Sequence, residues 1–120
     1  MTIREMQDAV DAWIGQFEEG YFSPEMMMLR IAEEVGELAR EVNHEYGPKK
    51  KKADEAPGSI GQELGDMLFV LVSFANSLNL DLEQVFTAVM QKFEERDKNR
   101  WTKKSRPHPE DGPALGRPKG

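Results

Sequence analysis

Two pairs of acidic residues in this 120-residue sequence repeat the same spacing. Glu34 and Glu37 lie in the segment IAEEVGELAREV, and Glu63 and Asp66 lie in GQELGDMLFVLV. Residues three apart on a helix lie on neighbouring turns of one face, so two such helices packed about 8–10 Å apart could bring four carboxylates together. Crowded carboxylates repel one another unless a cation lies between them. Because all these ligands are oxygen and the chain has no cysteine, the pattern favours Mg²⁺, with Mn²⁺ as a substitute, over zinc.

The second acidic pair begins a segment that is otherwise almost wholly apolar. Residues 67–72 read MLFVLV and leave no polar stripe, and a helix that is apolar on all sides is normally buried. A buried carboxylate is costly unless it is paired or bound to a cation. Gly36 and Gly65 each fall one residue before the last acid of a pair. Because glycine costs a helix about 1 kcal/mol relative to alanine, these positions favour a close approach of a helix or a ligand.

Each pair also has an interpretation without a metal. The first pair, with Arg30, Arg40 and Glu41 nearby, fits a solvated and ion-paired helix face. The second pair could stabilise the positive N-terminal end of its own helix. Glu41 and His44 have the Glu-x-x-His spacing of di-iron bundles, but those bundles need the motif twice. The other histidine, His108, lies in the C-terminal tail, so we expect no di-iron centre.

Start signals and apolar spacing predict an all-α four-helix bundle without strands. The predicted N-cap residues are Thr2, Ser23, Ser59 and Asp81, and the predicted helices span residues 3–19, 24–46, 59–78 and 82–98. The third helix has apolar residues on every side, more than one neighbouring face could cover. We therefore expect the bundle to form a homodimer or a dimer of dimers.

Composition and the remaining segments narrow the class of protein. The length suits one domain, and the net charge of -6 argues against a nucleic-acid binder. The absence of cysteine fits a reducing compartment, and no apolar run reaches the roughly 18 residues of a membrane span. Residues 47–58 are predicted to form a loop, and residues 102–120, rich in Pro, Gly and basic residues, a disordered tail. We expect a cytoplasmic protein with one helical domain over residues 1–101 and no nucleic-acid or membrane partner.

The acidic motifs resemble those of a known family. EEVGE at residues 33–37, followed by ELGD at residues 63–66, resembles the EExxE…ExxD signature of the MazG-like, all-α nucleoside triphosphate pyrophosphohydrolases. The resemblance includes the segments IREMQ, GYFSP and KFEERDKNRW, and it points to the short single-domain branch of the family. It implies Mg²⁺-dependent hydrolysis of a nucleoside triphosphate between the α and β phosphates, giving the monophosphate and pyrophosphate.

The resemblance also implies a role for each acid. Glu34, Glu37, Glu63 and Asp66 would be the metal ligands. Glu33 would hold or polarise the attacking water, or assist a second ion. All five acids are therefore candidate catalytic residues.

Contacts to the substrate are expected from two other regions. Pyrophosphate needs cations as it leaves, and the candidate phosphate-binding residues are Lys92, Arg96, Asn99 and Arg100. The candidate base-binding aromatic residues are Trp13, Tyr21 and Phe22. A solvated helix face for the basic residues and core packing for Trp13 are the ordinary alternatives. Two rival functions remain, a phosphoribosyl-ATP pyrophosphohydrolase and a non-catalytic helical dimerisation module, and the preferred base and sugar stay open.

Overall fold

The computed structural model describes residues 1–48 and 58–105 of the chain. Within these ranges, all regular secondary structure is helical. The helices are α1 (Ile3–Gly15), α2 (Pro24–Tyr46), α3 (Ile60–Ser77) and α4 (Leu82–Arg96). The predicted all-α class with four helices and no strand is therefore confirmed over the described residues. Most of the predicted loop (residues 49–57) and of the predicted tail (residues 106–120) lies outside them. None of these helices is long and apolar enough to cross a membrane.

Side-chain caps explain where the helices begin. The Thr2 hydroxyl accepts a hydrogen bond from the Glu5 backbone N–H at 3.1 Å, and the Glu5 carboxylate accepts one from the Thr2 N–H at 3.0 Å. This second bond lowers the pKa of Glu5. The Ser23 and Ser59 hydroxyls accept from backbone N–H groups in the first turns of α2 and α3, and Asp81 does the same for α4. Each cap satisfies N–H groups that the helix itself leaves unpaired.

The first helix ends four residues earlier than predicted. Apolar spacing continues through Phe17, but α1 stops at Gly15, where glycine is a poor helix former. Phe17 keeps its contact with Trp13 outside the helix, because the two rings meet edge to face with centroids 5.2 Å apart. The chain then turns at Gly20, whose φ of +64° is the left-handed conformation that favours glycine. Residues 16–23 consequently form a turn that carries aromatic side chains.

Helix α3 is the centre of the first of two compact units, Met1–Thr87 and Ala88–Gly120. It packs against both α1 and α2. Its inner side contributes three of the five buried apolar residues, which are Val10, Met27, Val70, Val72 and Ala75. Burial of α3 on all sides is not achieved within one chain, since Leu64, Leu68 and Leu71 are 51%, 47% and 44% exposed.

A hydrogen-bonded amide pair fixes α1 against α3. The Asn76 side-chain amide donates to the Gln7 carbonyl at 2.9 Å, and its oxygen accepts from Gln7 Nε2 at 2.8 Å. Gln7 Nε2 also donates to the Leu80 carbonyl, and its Oε1 accepts from the Leu82 N–H. One pair of side chains thus joins α1, α3 and the start of α4.

We expect Asn76→Ala to lower the free energy of unfolding by about 1–3 kcal/mol, because it leaves several part-buried hydrogen-bonding groups without partners. Urea unfolding of the purified variants measures this. Gln91→Ala, which removes an exposed amide from α4, is the matched control and should change stability by less than about 0.5 kcal/mol. Equal stability of the two variants would show that the Gln7–Asn76 pair does not hold the helices together.

Candidate functional site

Three carboxylates meet where α2 packs against α3. Glu34 and Glu37 on α2 and Glu63 on α3 each place one oxygen within 4.8 Å of the other two. Helical spacing aligns the α2 acids along one face, and the packing of α3 brings its first-turn acid opposite them. These three acids are called the carboxylate cluster below.

The carboxylate cluster is partly buried and incompletely satisfied. Glu34 is 6% exposed. The Oε2 atoms of Glu34 and Glu63 are buried, and no described residue forms a hydrogen bond with either atom. Burial raises the pKa of Glu34, and the charges of Glu37 and Asp66 raise it further. Burial also raises the pKa of Glu63, followed by its hydrogen bond with Glu37. Unpaired buried oxygens and mutual repulsion would both be relieved by a divalent cation, so the donor set fits an oxygen-liganded ion such as Mg²⁺.

The two remaining acids lie at the edge of the cluster. Asp66 is exposed and does not belong to the three acids whose oxygens converge. Its charge nevertheless raises the pKa of both Glu34 and Glu63. Glu33 is exposed on α2 beside Glu34. A Cβ added at Gly36 or Gly65 would meet no atom within 4 Å. The expected close approach of a helix at these glycines is therefore wrong within the described chain, and the space beside the acids is open to a ligand.

A cavity of about 350 Å³ lies in the same unit, and five of the twelve residues that line it are aromatic. The aromatic residues that line it are Trp13, Phe17, Tyr21, Phe22 and Phe69. The structure thus places the three predicted base-binding residues around one cavity. Phe17 was assigned to core packing and Phe69 was not considered, because the helical spacing of both residues looks the same as that of ordinary core positions. A cavity of this size with several ring faces is suited to a planar heterocycle.

Tyr21 is held in the cavity wall by two partners. Its hydroxyl donates to Asp11 Oδ1 at 2.6 Å and accepts from Asn76 Nδ2 at 3.1 Å. Burial, followed by the hydrogen bond with Asp11, raises the pKa of the phenol. The amide that joins α1 to α3 therefore also orients an aromatic wall of the cavity.

Arg30 connects the cavity to the carboxylate cluster, and sequence reasoning assigned it only to a surface ion pair. Its side chain lines the cavity, and its Nη2 lies 3.7 Å from Glu34 Oε1. The four-residue spacing between Arg30 and Glu34 places both on one face of α2. This spacing was the feature of the sequence that could have linked Arg30 to the acids, but an exposed ion pair between residues four apart has the same spacing.

The predicted phosphate-binding residues lie in the second unit of the chain. Arg96 donates two hydrogen bonds to Asp97, from Nε and Nη2, each at 3.0 Å. The pKa of Asp97 is lowered by this hydrogen-bonded pair, and Arg100 Nη1 lies 3.9 Å from the same carboxylate. Lys92 Nζ lies 5.6 Å from the centre of the Phe93 ring. The role of Lys92, Arg96, Asn99 and Arg100 as phosphate ligands stays a prediction, and Asp97 is a partner that sequence reasoning did not anticipate.

Comparison with known proteins bears directly on the helices that carry the acids. The sequence profile described as the MazG nucleotide pyrophosphohydrolase domain matches residues 22–101. The chain belongs to the MazG nucleotide pyrophosphohydrolase family. This confirms the resemblance drawn from the acidic motifs and places the chain among the hydrolases that act on nucleotide pyrophosphate bonds.

The chain is similar to proteins from Bacillus. The protein YpjD of Bacillus subtilis is 59% identical over 103 residues, which are 86% of this chain and 93% of YpjD. The crystal structure of YpjD superposes with a TM-score of 0.70 at 58% identity, covering 78% of this chain and 95% of that one. The Bacillus-conserved MazG protein, a nucleotide pyrophosphohydrolase, superposes with a TM-score of 0.70 at 57% identity, covering 83% and 97%. The region matched by the MazG profile contains α2, α3 and Arg30, whereas α1 precedes it.

Proposed function

We propose that this MazG-family member hydrolyses nucleoside triphosphates between the α and β phosphates, releasing a monophosphate and pyrophosphate. The observation that carries the proposal is the carboxylate cluster, in which three oxygens converge and two buried oxygens lack partners among the described residues. The aromatic cavity, connected to the cluster through Arg30, supports a substrate with a planar base as well as phosphates. Family membership supports the reaction class.

The ion that fits the acids is Mg²⁺, with Mn²⁺ as a substitute. Glu34, Glu37 and Glu63 would hold it, and Asp66 would complete the set from the exposed edge of the cluster. When bound, the ion supplies the positive charge that allows an anionic triphosphate to lie against four carboxylates. The buried position of Glu34 fixes its carboxylate in place, so few side-chain rotamers must be ordered when the ion binds.

The chain's own residues account for the rest of the reaction. Water forms a bond to the α-phosphorus, the bond from that phosphorus to the bridging oxygen breaks, and pyrophosphate leaves with the electron pair. Glu33 would orient the water, and the proton that the water loses passes to this carboxylate or to solvent. The candidate ligands for the leaving pyrophosphate are Lys92, Arg96, Asn99 and Arg100.

The base would lie in the aromatic cavity. Trp13 and Phe22 are half exposed, at 56% and 48%, so their rings are available to a ligand. Tyr21 is held in place by Asp11 and Asn76, and ordering it would cost little entropy on binding. Stacking accepts any base, so the aromatic wall alone supports nucleotide binding without selecting one base.

The active form would be a homodimer or a dimer of dimers. Helices α2, α3 and α4 all expose large apolar side chains in the single chain, and α4 has no buried residue. A second copy of the chain would cover these residues. Sedimentation equilibrium should give two or four times the chain mass of 13.7 kDa; a mass of one chain would contradict this assembly.

A substrate panel tests the proposed function. Pyrophosphate release is measured from ribo- and deoxyribonucleoside triphosphates and from phosphoribosyl-ATP, with Mg²⁺ and with EDTA. We expect Mg²⁺-dependent release from at least one nucleoside triphosphate. Release from phosphoribosyl-ATP alone would assign the protein to that related reaction, and no release from any compound would favour a non-catalytic dimerisation module.

A further inference from the structure

The guanidinium group of Arg30 lies at the junction of the aromatic cavity and the carboxylate cluster. The residue lines the cavity together with Trp13 and Phe69. Its Nη2 lies 3.7 Å from Glu34 Oε1. Both contacts are within the first unit of the chain. A ligand that occupies the cavity and extends along α2 to Glu34 therefore comes within reach of this side chain.

One donor of Arg30 has no partner among the residues that the structure describes. Its Nε is buried, and neither residues 1–48 nor residues 58–105 provide a hydrogen-bond partner for it. The 3.7 Å separation from Glu34 is an ion-pair distance, but it exceeds the roughly 2.7–3.2 Å of a hydrogen bond. An arginine has five N–H donors in a planar fork. An arginine that served only to hold Glu34 would be expected to close this distance and to use its Nε.

The order of groups in a nucleotide identifies the acceptor that these donors would meet. The base is followed by the sugar, the α-phosphate and then the β-phosphate. With the base in the cavity and the scissile bond at the acids, the α-phosphate lies between them. We infer that Arg30 binds the α-phosphate of the substrate, a role that rests on the proposed function. Guanidinium and phosphate pair well because two parallel N–H donors match two phosphate oxygens.

This position gives Arg30 a part in catalysis as well as in binding. The α-phosphorus is the atom attacked by water, and negative charge is redistributed over its oxygens in the transition state. Donors already aimed at those oxygens stabilise the transition state more than the ground state. The monophosphate product keeps the same phosphate, so Arg30 also makes the protein prefer a monophosphate over the corresponding nucleoside.

The test compares Arg30→Ala and Arg30→Lys with the wild type in the full chain at saturating Mg²⁺. The substrate is the nucleoside triphosphate that gives the fastest pyrophosphate release in the panel. Two quantities are measured, which are kcat/KM and the inhibition constants of the matching monophosphate and nucleoside. We expect Arg30→Ala to lower kcat/KM about 100-fold and to lose the preference for the monophosphate, whereas Arg30→Lys recovers part of both. Arg4→Ala, which removes an exposed arginine paired with Asp81, is the matched control and should behave as the wild type.

The outcomes separate this inference from the proposed function. A wild type that is inactive on the whole panel removes both. An active wild type with no preference for the monophosphate, or an Arg30→Ala variant that keeps that preference, overturns the role of Arg30 alone. A variant that only requires more Mg²⁺, with unchanged inhibition constants, shows that Arg30 merely orients Glu34. If Arg30→Ala does not fold, Arg30→Gln supplies the same comparison.

Discussion

Replacing Glu63 by glutamine should abolish Mg²⁺-dependent pyrophosphate release while leaving the folded protein at least as stable as the wild type. The substitution keeps the size of the side chain but removes one negative charge from the carboxylate cluster. A neutral amide is a weaker ligand for Mg²⁺ than a carboxylate, and losing even an outer-shell partner of a metal commonly costs about 10–100-fold in activity. We therefore expect a loss of more than about 100-fold in kcat/KM.

The stability of the same variant should not fall, because the lost charge was unfavourable. The pKa of Glu63 is raised by burial and by its acidic neighbours, so the ionised form opposes folding in the metal-free protein. Glu45→Gln, which neutralises an exposed acid near the end of α2, is the matched control and should retain activity. Equal turnover in Glu63→Gln and Glu45→Gln would show that the cluster does not serve the reaction.

The second large effect concerns the stability of the folded protein. Without metal, this stability should fall as the pH rises toward neutral, and Mg²⁺ should restore it. Glu34 and Glu63 have pKa values raised above the ordinary value of 4.5, which the unfolded chain keeps. Below that value both states are protonated, and the stability these groups contribute is fully present. It is lost as the pH rises through the raised folded pKa, because the folded acids then ionise against burial and against one another. At neutral pH without metal, the cluster therefore destabilises the fold.

Thermal unfolding of the wild type and Glu63→Gln isolates this effect from other titrating groups. Without metal, the Tm of the variant should exceed that of the wild type by a margin that is small near pH 4 and grows toward pH 7. Adding Mg²⁺ at pH 7 should raise the wild-type Tm, since a ligand that binds only the folded state stabilises it. The variant should respond much less. A margin that is independent of pH, or an equal response of both proteins to Mg²⁺, would contradict this account of the cluster.

The sequence predicted the bounds of a helix correctly where capping residues, Pro or Gly marked both of its ends. Helix α2 has the predicted bounds because Ser23 and Pro24 begin it and Gly47 and Pro48 follow its end. Helix α1 was predicted too long, since apolar spacing continued through Phe17 although the chain had already left the helix at Gly15. Spacing reports which residues share a face, but it does not report whether a turn can keep the same contact.

The site could be predicted only as far as its chemistry lies within single helices. The spacing of Glu34 and Glu37 on α2 is a local property, whereas their meeting with Glu63 depends on the packing of α3 against α2. Arg30 was missed for the same reason: its pairing with Glu34 looks like an ordinary surface pair until the turn after α1 closes a cavity beside it. The sequence likewise shows that α3 has apolar residues on its outer side, but it does not show what would cover them.

The measurement that tests the central claim most directly is the identity of the products. The nucleoside triphosphate turned over fastest in the panel is incubated with the protein and Mg²⁺, and the mixture is resolved by anion-exchange chromatography. Cleavage between the α and β phosphates predicts equal amounts of nucleoside monophosphate and pyrophosphate, and no turnover when EDTA replaces Mg²⁺. Formation of nucleoside diphosphate and inorganic phosphate would contradict the account, because it would place the attacked phosphorus at the far end of the triphosphate.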